Sequence, residues 1–322
     1  MPEQIVNILP SPQSGASAQT ASHTIPEPSM EKASMIPRVL SKAVPGSIKF
    51  RIEAMRAWHS GEPELHLLPL LCDERSVSID VGANRGIYTY FLYKYSASVL
   101  AIEANPAYVA MVKHNFGKKV PVFQAAASER EDRVTLWIPQ DKMTQGMATV
   151  ERQNPVSSGN CTSIEVNCIT LDSIASQRIG FVKIDVEGHE LSVLKGATKL
   201  LARDTPTLLI EVEERHRENA IGSVRAFLEP FDYAGFFLLN GKLQPIERFS
   251  AATYQDPNNL IQHQPNEHPS PYINNLLFIQ RDKYARLRNS LPMAEDATAT
   301  TARNPVPRQT AQSTPENLHV GR

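Results

Sequence analysis

The chain has 322 residues, of which 41% are hydrophobic, and this is enough for one large core or two modest ones. Its formal net charge of −1 gives no strong overall field to attract nucleic acid or an anionic membrane, and no apolar run is long enough to span a bilayer. Three cysteines without a C-x-x-C pair, and an N-terminus without an apolar signal segment, indicate a reducing compartment, so we expect a cytoplasmic protein.

Composition divides the chain into three parts. Residues 1–45 are rich in Pro, Ser, Ala, Gln and Thr, residues 291–322 resemble them, and we expect both to be disordered tails. Residues 46–290 alternate strand and helix patterns and are predicted to form one domain. This alternation favours an α/β fold with a mostly parallel sheet, whose ligand crevice lies at the carboxyl ends of the strands.

The predicted elements of this domain follow in chain order. A helical segment over 48–71 precedes the first strand. Strands are predicted over 76–81, 98–102, 120–126, 133–138, 164–170, 180–185, 207–212, 233–239 and 275–280. Helices are predicted over 87–95, 107–116, 190–202 and 219–228. The strands at 133–138 and 164–170 form a hairpin-like pair, and the long irregular stretches 140–163 and 241–274 are expected to be functional lids or disordered.

The first strand ends in an acid and two glycines. Asp80 is followed by Gly82 and Gly86, and a helical pattern begins at Ile87. Glycines at a strand-to-helix junction place bare backbone N–H groups and a helix N-terminus against a ligand. The spacing differs from the G-x-G-x-x-G of dinucleotide sites, and a carboxylate here repels a pyrophosphate but suits an ammonium or a ribose hydroxyl. The turn therefore favours S-adenosylmethionine (SAM), with an ordinary turn and a structural aspartate as the alternative.

The second strand supports an adenosine ligand. It ends at Glu103, 21 residues after Gly82. At this spacing a carboxylate that ends the second strand hydrogen-bonds the ribose diol of a bound adenosine. The alternative is a solvated strand end.

Two later strands also end in acids. Asp185, Glu187 and Glu190 follow one buried strand, and Glu211 and His216 follow the next. Because parallel strands end at the same sheet edge, we expect these side chains to converge. Such a cluster binds a cation, binds a polyhydroxyl or cationic ligand, or supplies a base. The alternatives are that the two later glutamates only stabilise a helix N-terminus, and that the neighbouring histidine at 189 is a solvated turn residue.

These motifs together resemble the FkbM family of SAM-dependent methyltransferases over about residues 76–280. The resemblance is carried by Asp80-Val-Gly-Ala-Asn-Arg-Gly86, Glu103-Ala-Asn-Pro106, Ala125-Ala-Ala-Ser128, Thr170-Leu-Asp172, Lys183-Ile-Asp185-Val-Glu-Gly-His-Glu190, Leu194-Lys-Gly-Ala197 and the strand that ends at Glu211. His189 stands where the family more often has a small residue. The resemblance implies a class I methyltransferase (Rossmann-like) fold, with a seven-stranded, mostly parallel sheet whose last strand is antiparallel.

The resemblance also implies an activity. We expect SAM-dependent O-methylation of a hydroxyl on a sugar, a glycolipid or a secondary metabolite, and a deoxysugar of a lipochitin-type signal is one candidate. The expected partner is a small-molecule, oligosaccharide or glycolipid acceptor, with no nucleic acid and no integral membrane association. No oligomeric state is predicted. The alternatives are an NAD-type oxidoreductase on a similar sheet and a non-catalytic SAM-binding or scaffold protein.

The predicted cofactor residues are Asp80, Gly82, Asn84, Gly86, Glu103, Ala104, Gln124 and Ala125. Asp80 and the backbone near Gly82 would hold the methionyl end, Glu103 the ribose, and the stretch from Gln124 the adenine.

The predicted catalytic residues are Asp185, Glu187 and His216. Asp185 is the first candidate for the base that receives the acceptor proton, and His216 is the second. Alternatively, Asp185 holds Mg²⁺ together with Glu187 or Glu211, and the ion would acidify the hydroxyl.

Overall fold

The computed structural model describes residues 46–294, except 142–143, 155–156, 158 and 261–270. The chain divides into two units, Met1–Val44 and Pro45–Arg322, and the described residues all belong to the second. The predicted disordered tails, 1–45 and 291–322, lie outside the described residues apart from positions 291–294. Leu291 is buried in the core, so the packed chain continues just beyond the predicted end of the domain.

The described residues form strands and helices in alternation. The strands are β1 (Val77–Val81), β2 (Ser98–Glu103), β3 (Val122–Gln124), β4 (Ala126–Ala127), β5 (Arg133–Pro139), β6 (Cys161–Ile169), β7 (Ile179–Ile184), β8 (Thr207–Glu211), β9 (Tyr233–Leu239), β10 (Lys242–Pro245) and β11 (Asn275–Gln280). The α-helices are α1 (Gly46–Ser60), α2 (Leu68–Leu71), α3 (Ile87–Tyr95), α4 (Pro106–Phe116), α5 (Leu171–Ile174), α6 (Glu190–Lys195), α7 (Thr198–Asp204), α8 (Ala220–Leu228), α9 (Ala251–Tyr254) and α10 (Arg281–Leu287). Short 3₁₀ turns occupy Pro63–Leu67, Gly117–Lys119, Gln145–Met147, Glu229–Phe231, Ile246–Arg248 and Pro257–Leu260.

The main sheet confirms the predicted fold class. Its strand order is β10-β9-β11-β8-β7-β1-β2-β3. Strands β3, β2, β1, β7 and β8 run parallel to one another, whereas β11 is antiparallel to both β8 and β9. The expected seven strands are therefore present, with the last one antiparallel. Strand β10 adds an edge strand through a tight turn at Asn240 and Gly241, inside the stretch that the sequence predicted to be irregular.

A small second sheet carries the predicted hairpin. Strands β5 and β6 pair antiparallel from Arg133 opposite Asn167 to Pro139 opposite Cys161. The strand predicted over 120–126 is divided, because β3 stays in the main sheet whereas β4 leaves it and pairs parallel with β6. The chain thus crosses from one sheet to the other at Ala125.

Apolar side chains cover both faces of the main sheet. Strand β1 is buried throughout, as expected for a central parallel strand. One core cluster joins it to α6, α7 and α8, and a second joins the sheet to α1, α3, α4 and α10. The helix predicted over 190–202 is broken at Gly196, where a Cβ atom would lie 2.0 Å from the Ser128 carbonyl oxygen.

Two chemical expectations concern the described residues. Cys72 and Cys168 are free thiols. Among the helices of the described ranges, none combines the length and the apolar character that crossing a membrane requires.

Candidate active site

A cleft lies at the carboxyl edge of the main sheet. It is lined by the turn after β1, the end of β2, the crossing between the sheets and the turn after β7. Of the predicted residues, the cleft is lined by Gly82, Asn84, Glu103, Ala104, Ala125, Asp185 and Glu187.

The two glycines of the first turn serve different purposes. Gly82 has a φ of +77°, and a Cβ atom there would lie 1.8 Å from the carbonyl oxygen of Asp185. Only a bare backbone lets the turn pass so close to the end of β7. Gly86 has a φ of +90° and faces helix α4, where a Cβ atom would lie 3.0 Å from the Phe116 ring. Gly86 therefore allows close helix packing rather than lining the cleft.

Glu103 presents a carboxylate to the cleft. It is buried, and its two oxygens each accept one backbone N–H, from Asn84 and Asn105, both at 2.7 Å. Burial raises the pKa of Glu103 to about 7, although the two N–H donors act in the opposite direction. Each carboxylate oxygen has a second lone pair, so the group can still accept hydroxyl donors.

The side of the cleft that is predicted to hold adenine is built from the crossing between the sheets. The small side chains of Ala104 and Ala125 line it, with Tyr108 beside them. Gln124 ends β3 with an exposed side chain and is not among the described residues that line the cleft.

Asp80 turns away from this cleft. It is buried, and its Oδ2 accepts a hydrogen bond from the Thr89 hydroxyl of α3 at 2.5 Å. Burial raises the pKa of Asp80 to about 6. The side chain instead lines a second cavity beneath the glycine turn, and the two cavities share Gly82, Asn84 and Asp185.

A buried lysine lies beside the carboxylates at the ends of β7 and β8, which we call the acidic edge. Lys183 Nζ lies 3.7 Å from Asp185 Oδ2 and 4.0 Å from Glu211 Oε2. It also donates to Asn275 Oδ1 at 3.0 Å and sits 4.9 Å from the Tyr88 ring centroid. Burial alone would lower the pKa of Lys183, but the surrounding carboxylates raise it above its ordinary value. This side chain is thus a fixed cation within the sheet.

The predicted catalytic residues come together at this edge. Carboxylate oxygens of Asp185, Glu187 and Glu211 lie within 4.8 Å of one another. His216 is buried, and its Nε2 lies 3.3 Å from Glu187 Oε2. Burial lowers the pKa of His216, which favours the neutral imidazole. Burial, followed by the nearby Asp185 and Glu213, raises the pKa of Glu187 well above its ordinary value.

A strap formed by residues 144–154 covers the cleft. The hydroxyl of Thr149 and the amide of Asn154 both donate to the Glu187 carbonyl at 2.8 Å. His189 Nδ1 lies 2.6 Å from Glu151 Oε1, and its Nε2 lies 3.0 Å from the Ser128 hydroxyl. His189 therefore fastens the strap to the site and is not a solvated turn residue, because its imidazole is held between these two partners.

Sequence reasoning missed part of the polar network. Glu62 accepts from the Tyr88 hydroxyl at 2.6 Å and from the Asn275 amide at 2.9 Å. It comes from the link between α1 and the 3₁₀ turn Pro63–Leu67, and no motif connects it to the site. Lys183 did carry a signal, because a lysine inside a buried strand demands a partner for its charge.

The fold and the site define a class I methyltransferase domain. A mostly parallel sheet with an antiparallel β11, and a ligand cleft at its carboxyl edge, is the arrangement that the resemblance implied. Residues 80–237 match the family model of the methyltransferase FkbM domain. Residues 80–237 of this chain are therefore an FkbM methyltransferase domain.

Solved structures of several methyltransferases are similar to this chain. The methyltransferase FkbM of Methylobacillus flagellatus KT has 18% identity and a TM-score of 0.40, and the match covers 75% of this chain and 57% of that chain. An rRNA methylase of Streptococcus thermophilus has 13% identity and a TM-score of 0.36, with coverages of 67% and 93%. The precorrin-6y C5,15-methyltransferase of Geobacter metallireducens GS-15 has 13% identity and a TM-score of 0.36, with coverages of 67% and 85%. No curated protein matches the sequence.

Proposed function

We propose that this chain transfers a methyl group from SAM to a hydroxyl of a sugar, glycolipid or secondary metabolite, such as a deoxysugar of a lipochitin-type signal. The observation that carries this proposal is the Glu103 carboxylate. It is held by two backbone N–H groups in a cleft of a methyltransferase domain, where it can accept the hydroxyls of an adenosine ribose.

The residues of the cleft fit such a cofactor. Asn84 Oδ1 is buried without a hydrogen-bond partner among the described residues, which leaves an acceptor for an ammonium or a hydroxyl donor. Gly82 offers bare backbone beside it, and Ala104 and Ala125 leave room for a planar base. When bound, SAM supplies an electrophilic methyl group on a positively charged sulfur.

The chain's own residues would bind and orient the reactants. Glu103 holds the ribose, and Ala125 borders the adenine. Asp80 helps to hold the methionyl end from the second cavity. The strap over 144–154 excludes water. Alignment of the acceptor oxygen with the methyl group supplies much of the rate enhancement, since positioning alone is worth about 7–11 kcal/mol in favourable cases.

Two groups are candidates for the base. Asp185 stays the first, because it lines both cavities and lies next to the fixed cation of Lys183. His216 is the second, because its Nε2 has no hydrogen-bond partner among the described residues and faces Glu187. A neutral imidazole accepts a proton more readily than a carboxylate does near neutral pH.

A metal-free reaction fits this edge better than the Mg²⁺ alternative. Lys183 Nζ already lies within 4.0 Å of both Asp185 and Glu211, two of the carboxylates that would hold the ion. A second cation placed there would be repelled by the ammonium. Methyl transfer should therefore persist in EDTA, and restoration of activity by Mg²⁺ alone would favour the metal.

The central experiment combines calorimetry and turnover. Asp185→Asn should abolish methyl transfer to glycolipid or oligosaccharide extracts while leaving SAM affinity within a few-fold. The exposed Asp282 provides the matched control, because Asp282→Asn should alter neither quantity. Unchanged turnover in the Asp185 variant would remove this residue from the mechanism.

The same measurements distinguish the alternative functions. Tight binding of NAD without SAM would favour the oxidoreductase. SAM binding without transfer to any acceptor would favour the non-catalytic protein.

A further inference from the structure

Helix α1 presents an apolar stripe to solvent. Ile48, Ile52 and Met55 are 47%, 46% and 41% exposed. Their i, i+4, i+7 spacing puts them on one face of the helix. We call these three residues the α1 stripe. A solvent-facing stripe of this kind is unusual, because a surface helix normally turns its apolar face to the core and its polar face to water.

The opposite face of α1 is already packed. Phe50 is buried, with its ring centroid 5.5 Å from that of Phe116. Further along the same face, the ring centroid of Trp58 lies 5.0 Å from that of Phe91. The helix therefore cannot rotate its stripe inward without losing this packing, and the stripe stays at the surface.

Cations flank the stripe on both sides. On the helix, exposed Arg51 lies to one side of the stripe, and exposed Lys49 and Arg56 lie to the other. The two surface depressions beside α1 are lined by the cations Lys49, Arg51, Arg85, Lys94 and Lys119. Among the described lining residues the only acid is Glu53, which is paired with Arg85 at 2.7 Å. The chain's net charge of −1 thus conceals a local positive surface.

We propose that the α1 stripe and its flanking cations form a docking surface for an anionic lipid bilayer. A helix that lies in the membrane interface buries an apolar face at the level of the acyl chains and places lysine and arginine among the anionic headgroups. The pattern fits a bilayer better than a nucleic acid, because phosphate backbones bind cations and offer nothing to an isoleucine stripe.

The docking surface adjoins the second cavity at the acidic edge. Glu53 of α1 also lines the second cavity, together with Asp80 and Asp185. Docking would bring that cavity close to the headgroups and to any sugar carried on a lipid. The acceptor is then a lipid-linked hydroxyl, an inference that rests on the proposed function.

The test is sedimentation of the full chain with lipid vesicles. Phosphatidylcholine vesicles alone should not bind it, whereas vesicles that also contain phosphatidylglycerol should, with an affinity that falls as salt is added. Ile48→Ser with Ile52→Ser should weaken binding about tenfold or more, because two apolar anchors are lost. Lys49→Gln and Arg56→Gln should each weaken it about fivefold. Leu70→Ser is the matched control, since this leucine of α2 is 41% exposed and should leave binding unchanged.

Calorimetry with SAM on every variant shows that the cleft stays folded. Absence of binding to anionic vesicles, or equal binding by the double isoleucine variant, would overturn the proposal. So would binding to RNA in place of vesicles. Vesicle binding without methyl transfer would support the docking surface and count against the proposed function. Methyl transfer without vesicle binding would support the proposed function and count against the docking surface.

Discussion

Replacing Glu103 with glutamine is the sharpest test of the cofactor site. Glutamine keeps the size of the side chain but exchanges one acceptor oxygen for an NH₂ donor. Both oxygens of Glu103 are in use, with backbone N–H groups of Asn84 and Asn105 at 2.7 Å. In the variant, one of these N–H groups faces another donor, and the carboxylate charge is lost.

The expected effect follows from these contacts. A hydrogen bond from a ribose hydroxyl to a charged acceptor contributes about 1.5–3 kcal/mol, and an orphaned buried donor costs about 1–3 kcal/mol. Loss of one such ribose bond weakens SAM binding by about 10-fold to 150-fold. Because the pKa of Glu103 is raised to about 7, the wild-type group is largely protonated below that pH. Wild-type affinity should therefore rise with pH through about 7, whereas the affinity of the variant should lack this rise.

Isothermal calorimetry with SAM and S-adenosylhomocysteine (SAH), at about one pH unit above and below this pKa, measures both effects. Glu165→Gln is the matched control, because Glu165 is exposed on β6 and outside the cleft. Near-UV circular dichroism establishes that the variant is folded. If the Glu103 variant binds SAM as tightly as the wild type at the higher pH, this carboxylate does not hold the ribose.

Three further predictions concern the architecture of the site. Gly82→Ala should lower the free energy of unfolding in urea by about 3 kcal/mol or more, whereas Gly241→Ala should lower it by only about 1–2 kcal/mol. Both glycines have positive φ, but a Cβ atom meets the Asp185 carbonyl only at Gly82. Equal losses of stability would contradict this close approach. Burial raises the pKa of Glu190 from 4.5 to about 7. The contribution of the protonated side chain to the free energy of unfolding is therefore complete below the unfolded pKa and is lost as pH rises through 7. Glu190→Gln should remove up to about 3 kcal/mol of that pH dependence, and an unchanged slope of unfolding free energy against pH would count against it. His189→Ala should speed amide hydrogen exchange across 144–154 by about tenfold, because the strap loses the contact between His189 and Glu151. Unchanged exchange would show that the other contacts hold the strap without it.

Periodicity located most of the elements. Strands β9 and β11 fall at the predicted residues, because apolar runs bounded by turn residues are local signals. The breaks were not visible. The predicted helix over 190–202 is interrupted at Gly196 by the carbonyl of Ser128, which lies far away in sequence. The division of the third strand likewise depends on pairing between β4 and β6, which only the folded chain creates.

The site was predictable to the level of the sheet edge. Topology alone brings Glu103, Asp185 and Glu211 to one edge of the sheet, because each lies at the carboxyl end of a parallel strand. It does not fix side-chain direction, and Asp80 turns toward Thr89 rather than into the cleft. Partners from segments that are distant in sequence, such as Glu62, were also out of reach of a motif.

The charges at the acidic edge suggest why the site would favour SAM over its product. Asp185, Glu187 and Glu211 lie together, and the buried ammonium of Lys183 is within 4.0 Å of Asp185 and Glu211. Burial raises the pKa of all three carboxyl groups. A protein gains no stability from such crowding, and a positively charged ligand would offset it. The sulfonium of SAM carries a positive charge, and the thioether of SAH does not. In the proposed function the sulfonium lies in the cleft, which Asp185 and Glu187 line and Lys183 does not. Its positive charge favours the ionised form of these carboxyl groups. Methyl transfer removes that charge, so the cluster should hold SAM more tightly than SAH.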